Sequence, residues 1–238
     1  MLDVLFVTVG TSAIQNDLLG ALDGKNNQVL LQDVQRYLND RAKPEEGVGR
    51  YGGLLRDLER AHLDFWGHDK ATIDRWIDGG RYYRATSAEL LSTYILRRTK
   101  EINFRSAVLL YSQTPEGYLA AVVNQSIMHS LSFKEKMGWH FLENVIKEPI
   151  PGLDKGRDKW FNHLPEIIQK FGTGEKRYRV NITGGYKGLA FAFGWLAQKA
   201  AKEQTTPYHL YYLHESLQIP MFFNERGDVS AAEDHGPF

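Results

Sequence analysis

At 238 residues, 42% of them apolar, the chain is long enough to build one substantial α/β core. Lysine plus arginine equals aspartate plus glutamate at 29 each, so no global field draws it to duplex DNA or to an anionic membrane, and any nucleotide recognition has to be local. The absence of cysteine excludes disulfides, thiolate zinc sites and a cysteine nucleophile.

Residues 2–9 form a near-continuous apolar, β-branched run broken only by Asp3 and Thr8, the pattern of a parallel strand buried on both faces. It leads into Gly10-Thr11-Ser12, a small-residue turn at the carboxyl end of a first strand, where doubly wound folds bind ligands. Taken alone, that tripeptide reads equally well as a tight turn with a helix cap. The chain contains neither G-x-G-x-x-G nor G-x-x-x-x-G-K-[ST] in this position, so neither a dinucleotide fingerprint nor a P-loop is predicted.

Helical spacing of apolar residues follows over 28–38 (Val29, Leu30, Val34, Leu38), over 51–66 (Leu54, Leu55, Leu58, His62, Phe65, with Gly67 as a stop) and over 71–77. No strand is predicted between residue 9 and residue 100, too much chain for an ordinary crossover, so residues 23–84 are assigned to a helical insertion in the α/β core. This stretch concentrates Trp66, Trp76, Tyr82, Tyr83, Arg75, Arg81 and Arg84. Packing explains the two tryptophans; a base-stacking lid is the functional alternative.

Thr86-Ser87-Ala88-Glu89 has capping-box spacing and predicts a helix over 88–99. A second strand is predicted at 106–112, followed by Gln113-Thr114-Pro115-Glu116-Gly117 and a helix from 118 to about 131, with Pro115 suited to the first helical turn. A third strand is predicted at 139–146, a loop at 149–156, and a helix within 160–171. The fourth strand, 178–182, runs into Asn181-Ile182-Thr183-Gly184-Gly185-Tyr186-Lys187-Gly188 and a helix over 186–202. A strand turning through two glycines into a helix is a ready anion site, because backbone N–H groups point outward beside the positive helix end and Lys187. The fifth strand is predicted at 208–213, and 219–223 with Val229 reads as a closing hairpin.

Alternation of strands and helices predicts a single α/β domain over 1–238 with a Rossmann-like, mostly parallel sheet and helices on both faces. If the first, second and fourth strands are neighbours, the turns at 10–12, 113–117 and 183–187 share one rim. The eight histidines show no metal-ligand spacing, so no metal and no cofactor is predicted. Glu116 and Glu215 lie near predicted strand ends and read as solvated carboxylates, leaving no evident general base. The absence of a leader and of any apolar run approaching ~18 residues predicts a soluble, cytoplasmic protein.

Together, Gly10-Thr11-Ser12, Thr114-Pro115-Glu116-Gly117 and the Asn181 to Lys187 turn, with the ending Tyr212-Leu213-His214-Glu215 to Ile219-Pro220, resemble the CRISPR-associated Rossmann-fold (CARF) family. The resemblance covers roughly residues 1–20 and 86–224 as separated motifs, and carries nothing over to 23–84. It implies a homodimer that binds a cyclic oligoadenylate, the tetra-adenylate ring above others, across its two-fold axis. Many relatives carry an effector domain after the CARF part; the short remainder after the sheet here points to a standalone ring nuclease. In such an enzyme a ribose 2′-OH attacks the adjacent phosphate in line and the 5′-oxygen leaves, without a metal, giving linear di-adenylates with 2′,3′-cyclic phosphate ends. By motif position Lys187 would stabilise charge on the phosphorus and Ser12 would orient the phosphate or the 2′-OH. Gly10, Thr11, Gln113, Thr114, Glu116, Asn181, Thr183, Gly184, Gly185 and Tyr186 would line the ligand. The rival readings are a non-cleaving CARF sensor, an effector whose activity sits in 23–84, and a nucleotide-dependent enzyme sharing only the fold.

Overall fold

The computed structural model describes residues 2–14, 24–40, 49–79, 86–99, 104–138, 142, 144–150, 163, 166–167, 169–171, 176–184, 208–213, 220–223 and 229–231. Among them seven strands form one sheet: β1 (Leu2–Val9), β2 (Phe104–Ser112), β3 (Asn144–Ile150), β4 (Lys176–Asn181), β5 (Tyr208–Leu213), β6 (Pro220–Phe223) and β7 (Val229–Ala231), in the order β3-β2-β1-β4-β5-β6-β7. The first five are parallel, and β6 and β7 add antiparallel partners that include the expected closing hairpin. The Rossmann-like, mostly parallel sheet expected from the sequence is therefore present.

Period-2 alternation explains why β1 and β2 read as continuous apolar runs. Leu5, Val7, Val9, Ala107, Leu109 and Tyr111 face the main core cluster. Their neighbours Val4, Phe6, Val108 and Leu110 are equally buried but lie outside it, on the sheet's other face. The described helices of the β1 to β2 and β2 to β3 connections join the main core cluster, as right-handed crossovers to one face of the sheet require. In the β3 to β4 connection the described residues 163, 166–167 and 169–171 are helical, and Ile167 is buried outside the main core cluster.

Six α-helices with defined bounds are described besides these residues. Three lie in the stretch 23–84: α1 (Gly24–Asn39), α2 (Gly52–Trp66), ended by Gly67, and α3 (Lys70–Asp78), capped by the Asp69 carboxylate on the Thr72 N–H. Their inner faces join the main core through Leu30, Val34, Tyr37, Leu54, Leu58, Phe65 and Trp66. Trp66 is fully buried, edge-on to Phe65 and Phe133 and tilted against Tyr94. Trp76 packs on Phe65 and His68. Packing is thus the role of both tryptophans, and Arg75 is exposed; Arg81, Tyr82, Tyr83 and Arg84 lie outside the described residues. Arg98 of α4 (Ala88–Thr99) pairs with Asp74 and Asp78, fastening α3 to it.

α5 (Pro115–His129) is the central helix, buried on most sides, and α6 (Leu131–Met137) follows it directly. The sequence reading passes over α6. Its signals are local: Ser130 caps it through the Phe133 N–H, Gly138 ends it at φ 61°, and Phe133 and Met137, four apart, fill the core.

The third strand differs from expectation. Its described strand is Asn144–Ile150, overlapping the expected 139–146 only at 144–146, with 139–141 and 143 outside the described residues, and Pro149, expected in a loop, pairs with Tyr111. β3 is the sheet's edge, where a residue without an N–H can turn its missing donor outward, so proline and the polar Lys147 and Glu148 are tolerated there.

Candidate functional site

The strand order reverses between β1 and β4, and β2 flanks β1 on the other side. Since all three strands are parallel, the turns after β2 and β1 and the described start of the turn after β4, Thr183 and Gly184, lie at the same edge of the sheet, while 185–187 lie outside the described residues. The β1/β4 junction is the topological switch point, the place where open α/β sheets form a ligand crevice.

The β1 turn is closed by a short 3-10 turn, Ser12–Ile14, in which the Ile14 N–H donates to the Thr11 carbonyl. Its polar groups are held from α4. Glu89, fully buried, accepts from the Gly10 N–H at 2.6 Å through Oε1 and from the Ser12 hydroxyl at 2.7 Å through Oε2. Ser12 Oγ in turn accepts from the Ala88 N–H at 3.0 Å, one of the orphan donors of α4's first turn. This corrects the capping-box expectation. Ser87, not Thr86, caps α4, through the Leu90 N–H at 3.1 Å, and Glu89 reaches 79 residues back along the chain rather than to its own helix.

Behind the turn, His62 ties it to the helical stretch. Its Nε2 is 3.2 Å from the Ala13 carbonyl and its Nδ1 3.2 Å from Thr86 Oγ1, which also accepts from Trp66 Nε1 at 2.9 Å. A carbonyl only accepts, so the network assigns the proton to Nε2 and leaves Nδ1 accepting from Thr86. Burial without charge compensation pushes the imidazole down to about 4, against a smaller opposing effect of the Ala13 carbonyl. His62 is a neutral structural residue. Among the described residues no cluster of histidines and carboxylates is arranged to hold a metal ion.

The β4 turn is bound to the same helix. Asn181, 1% exposed, donates from Nδ2 to Ser92 Oγ at 2.8 Å and to Thr93 Oγ1 at 3.2 Å, and its Oδ1 accepts from the Thr183 N–H at 3.1 Å. Its side chain therefore holds the turn to α4 instead of facing the rim. Thr8 Oγ1 donates to the Gly184 carbonyl at 2.5 Å. Gly184 is pressed so closely that a Cβ there would overlap Glu89 Oε1 and come within 2.5 Å of the Thr8 carbonyl oxygen. Gly185, Tyr186 and Lys187, like His214 and Glu215, lie outside the described residues.

The β2 turn is built differently. Thr114 is the N-cap of α5, its Oγ1 accepting from the Gly117 N–H at 3.1 Å, with Pro115 in the first turn as expected. Gln113 and Thr114 are exposed and Glu116 is half-buried in the first helical turn. Tyr37 of α1 donates to the Pro115 carbonyl at 3.2 Å, so the helical stretch touches the rim here.

The structure thus brings Gly10, Ser12, Asn181, Thr183 and Gly184 together around α4, with Thr11 on the exposed outer side of the same turn and Gln113, Thr114 and Glu116 one strand over. The residue that sequence reasoning missed is Glu89. Its Thr-x-x-Glu setting matched a local cap and masked its long-range partners.

Residues 84–222, more than half of the chain, match the family model described as CRISPR-associated protein (Cas_APE2256). The chain belongs to this CRISPR-associated family. The matched part begins just after the helical stretch and takes in Glu89, the β2 turn and the turn carrying Asn181 to Lys187, while the Gly10–Ser12 turn lies outside it. No curated protein matches the chain. Among the described residues no helix is long and apolar enough to cross a membrane.

Proposed function

We propose that this CRISPR-associated protein is a ring nuclease that binds a cyclic oligoadenylate, the tetra-adenylate ring above others, across the two-fold axis of a homodimer and cuts it to linear di-adenylates with 2′,3′-cyclic phosphate ends. The observation that carries the reading is the alignment of three small, polar turns at the carboxyl ends of adjacent parallel strands, two of them at the switch point. A two-fold symmetric ligand suits an isologous interface that places two copies of this rim face to face. The nucleophile is the substrate's own 2′-hydroxyl, so the protein's task is to align it with the phosphorus and the leaving 5′-oxygen and to stabilise the charge that develops. Lys187, by its place in the motif, supplies that charge. The Thr183–Gly184 turn and Ser12 set the ligand's position.

One observation favours a sensor that does not cut: the Gly10 N–H, a natural phosphate donor, is already occupied by Glu89. Incubation of the purified protein with labelled cyclic tetra-adenylate in EDTA separates the two readings. Linear products with cyclic phosphate ends are expected, and an intact ring that nevertheless stays bound at high protein excess would falsify the nuclease. Lys187→Ala is expected to lose on the order of a hundredfold or more in single-turnover rate while keeping its unfolding midpoint. An unchanged rate would remove Lys187 from the chemistry.

A further inference from the structure

A carboxylate with no exposure at the centre of an expected anion site calls for a reason. Glu89 lies between the two turns of the switch point, accepting from Gly10 and Ser12 and in contact range of Gly184. Charge decides what can approach it. A phosphate placed against Ser12 would sit one hydrogen bond from a buried carboxylate, where like charges repel strongly for lack of screening water. A neutral hydroxyl would not.

The hydroxyl of Ser12 is also polarised by its partners. It has one proton and two acceptor positions. The proton is directed at Glu89 Oε2, and one acceptor position is taken by the Ala88 N–H. Among the described residues no further donor reaches it, and Ser12 is half-buried. What Ser12 presents to a ligand is therefore a lone pair.

We propose that Glu89 is a positioning residue that fixes Ser12 as a hydrogen-bond acceptor, so that Ser12 faces the attacking ribose 2′-hydroxyl and not a phosphate. The inference rests on the ring-nuclease reading above and narrows it: of the two ligand groups that Ser12 could orient, the geometry and charge select the sugar. An acceptor on the 2′-hydroxyl turns its proton away from the phosphorus and an oxygen lone pair toward it, as in-line attack requires.

Glu89→Gln inverts this arrangement with little change in shape. The glutamine oxygen still accepts from Gly10, but its amide donates to Ser12, both acceptor positions of Ser12 are filled, and the serine proton turns out to the rim. Ring cleavage by E89Q is expected to fall on the order of a hundredfold in single-turnover rate. Affinity for the uncut ring, measured in the first seconds, is expected to stay equal or to tighten, since Ser12 now offers a donor. Ser12→Ala is expected to show a loss of similar size, and E89Q is expected to add nothing in the S12A background. A folded E89Q that cuts at the wild-type rate overturns the proposal, and so does a loss that is undiminished in the S12A background, because Glu89 then acts by another route. If E89Q does not fold, S12A alone decides, with an undiminished rate counting against the proposal. Wild-type protein that leaves the ring intact sinks the ring-nuclease reading itself, a result distinct from all of these.

Discussion

The turns after β1 and β4 and the turn after β2 share one sequence pattern, small and polar residues with glycine between a strand and a helix, yet they are held in opposite ways. The β1 and β4 turns are bound to each other and to α4 by buried side chains distant in sequence: Glu89 to Gly10 and Ser12, Asn181 to Ser92 and Thr93, Thr8 to Gly184. The β2 turn is held mostly by local bonds, Thr114 to Gly117 and Ser112 to Thr114, with one distant contact from Tyr37 to the Pro115 carbonyl, and Gln113 and Thr114 are exposed. The first pair can keep a fixed geometry against a ligand because the core sets it; the second is a helix cap that touches the rim. Substitutions on the two sides should therefore differ in size and in reach.

The largest effect is expected at Gly184. Alanine there would drive a Cβ into a buried carboxylate and a strand carbonyl, neither of which is a flexible side-chain end on the surface. Overpacking of this kind is expected to cost about 3 kcal/mol or more, seen as a lower denaturant midpoint. An unchanged midpoint would mean that the β4 turn is not pressed against α4, and the contrast between the two kinds of turn would collapse.

Acid tests the same side from behind. The folded His62 imidazole is held at about 4 against an ordinary 6.5, so between those values the unfolded chain binds the proton and the folded chain does not. Stability from this residue is whole above pH 6.5 and is lost as pH falls toward 4, about 3 kcal/mol in all. Unfolding titrations from pH 7 to 4 should show that decline, and His62→Gln should flatten it. Because His62 Nε2 holds the Ala13 carbonyl, the β1 turn should loosen in the same range, visible as faster amide exchange at Ile14.

How far this contrast could be read from sequence depends on the range of the interactions. Strands β1 and β2 were legible because burial on both faces writes itself as a near-continuous apolar run, the helices α1 to α3 because their apolar stripes repeat at helical spacing, and α4 and α5 because Thr86 to Glu89 and Pro115 mark helix starts. β3 was ended too early because an edge strand pairs on one side only and admits Lys147 and Glu148, which broke the apolar run, and Pro149, which read as the start of a loop. Glu89 and Asn181 were legible as residue types but not as contacts. Gly10 and Glu89 are 79 positions apart and no local pattern marks their meeting. The shared rim itself was conditional on strand order, which the register of β1 with β2 and β4 supplies.

The smallest effect belongs to the locally capped β2 turn. Thr114→Ala removes the cap on the Gly117 N–H but leaves Pro115 at the start of α5 and the helix's buried face intact. Loss of a threonine cap costs about 1 kcal/mol. If Gln113 to Gly117 only borders the ligand, T114A should lower the unfolding midpoint by that amount and leave ring cleavage at the wild-type rate, measured under conditions where the variant is fully folded. A slower rate without any further loss of stability would instead bring the β2 turn into the working part of the site, since Tyr37 and Glu116 would then be placed through it, and the site would extend across three strands instead of two.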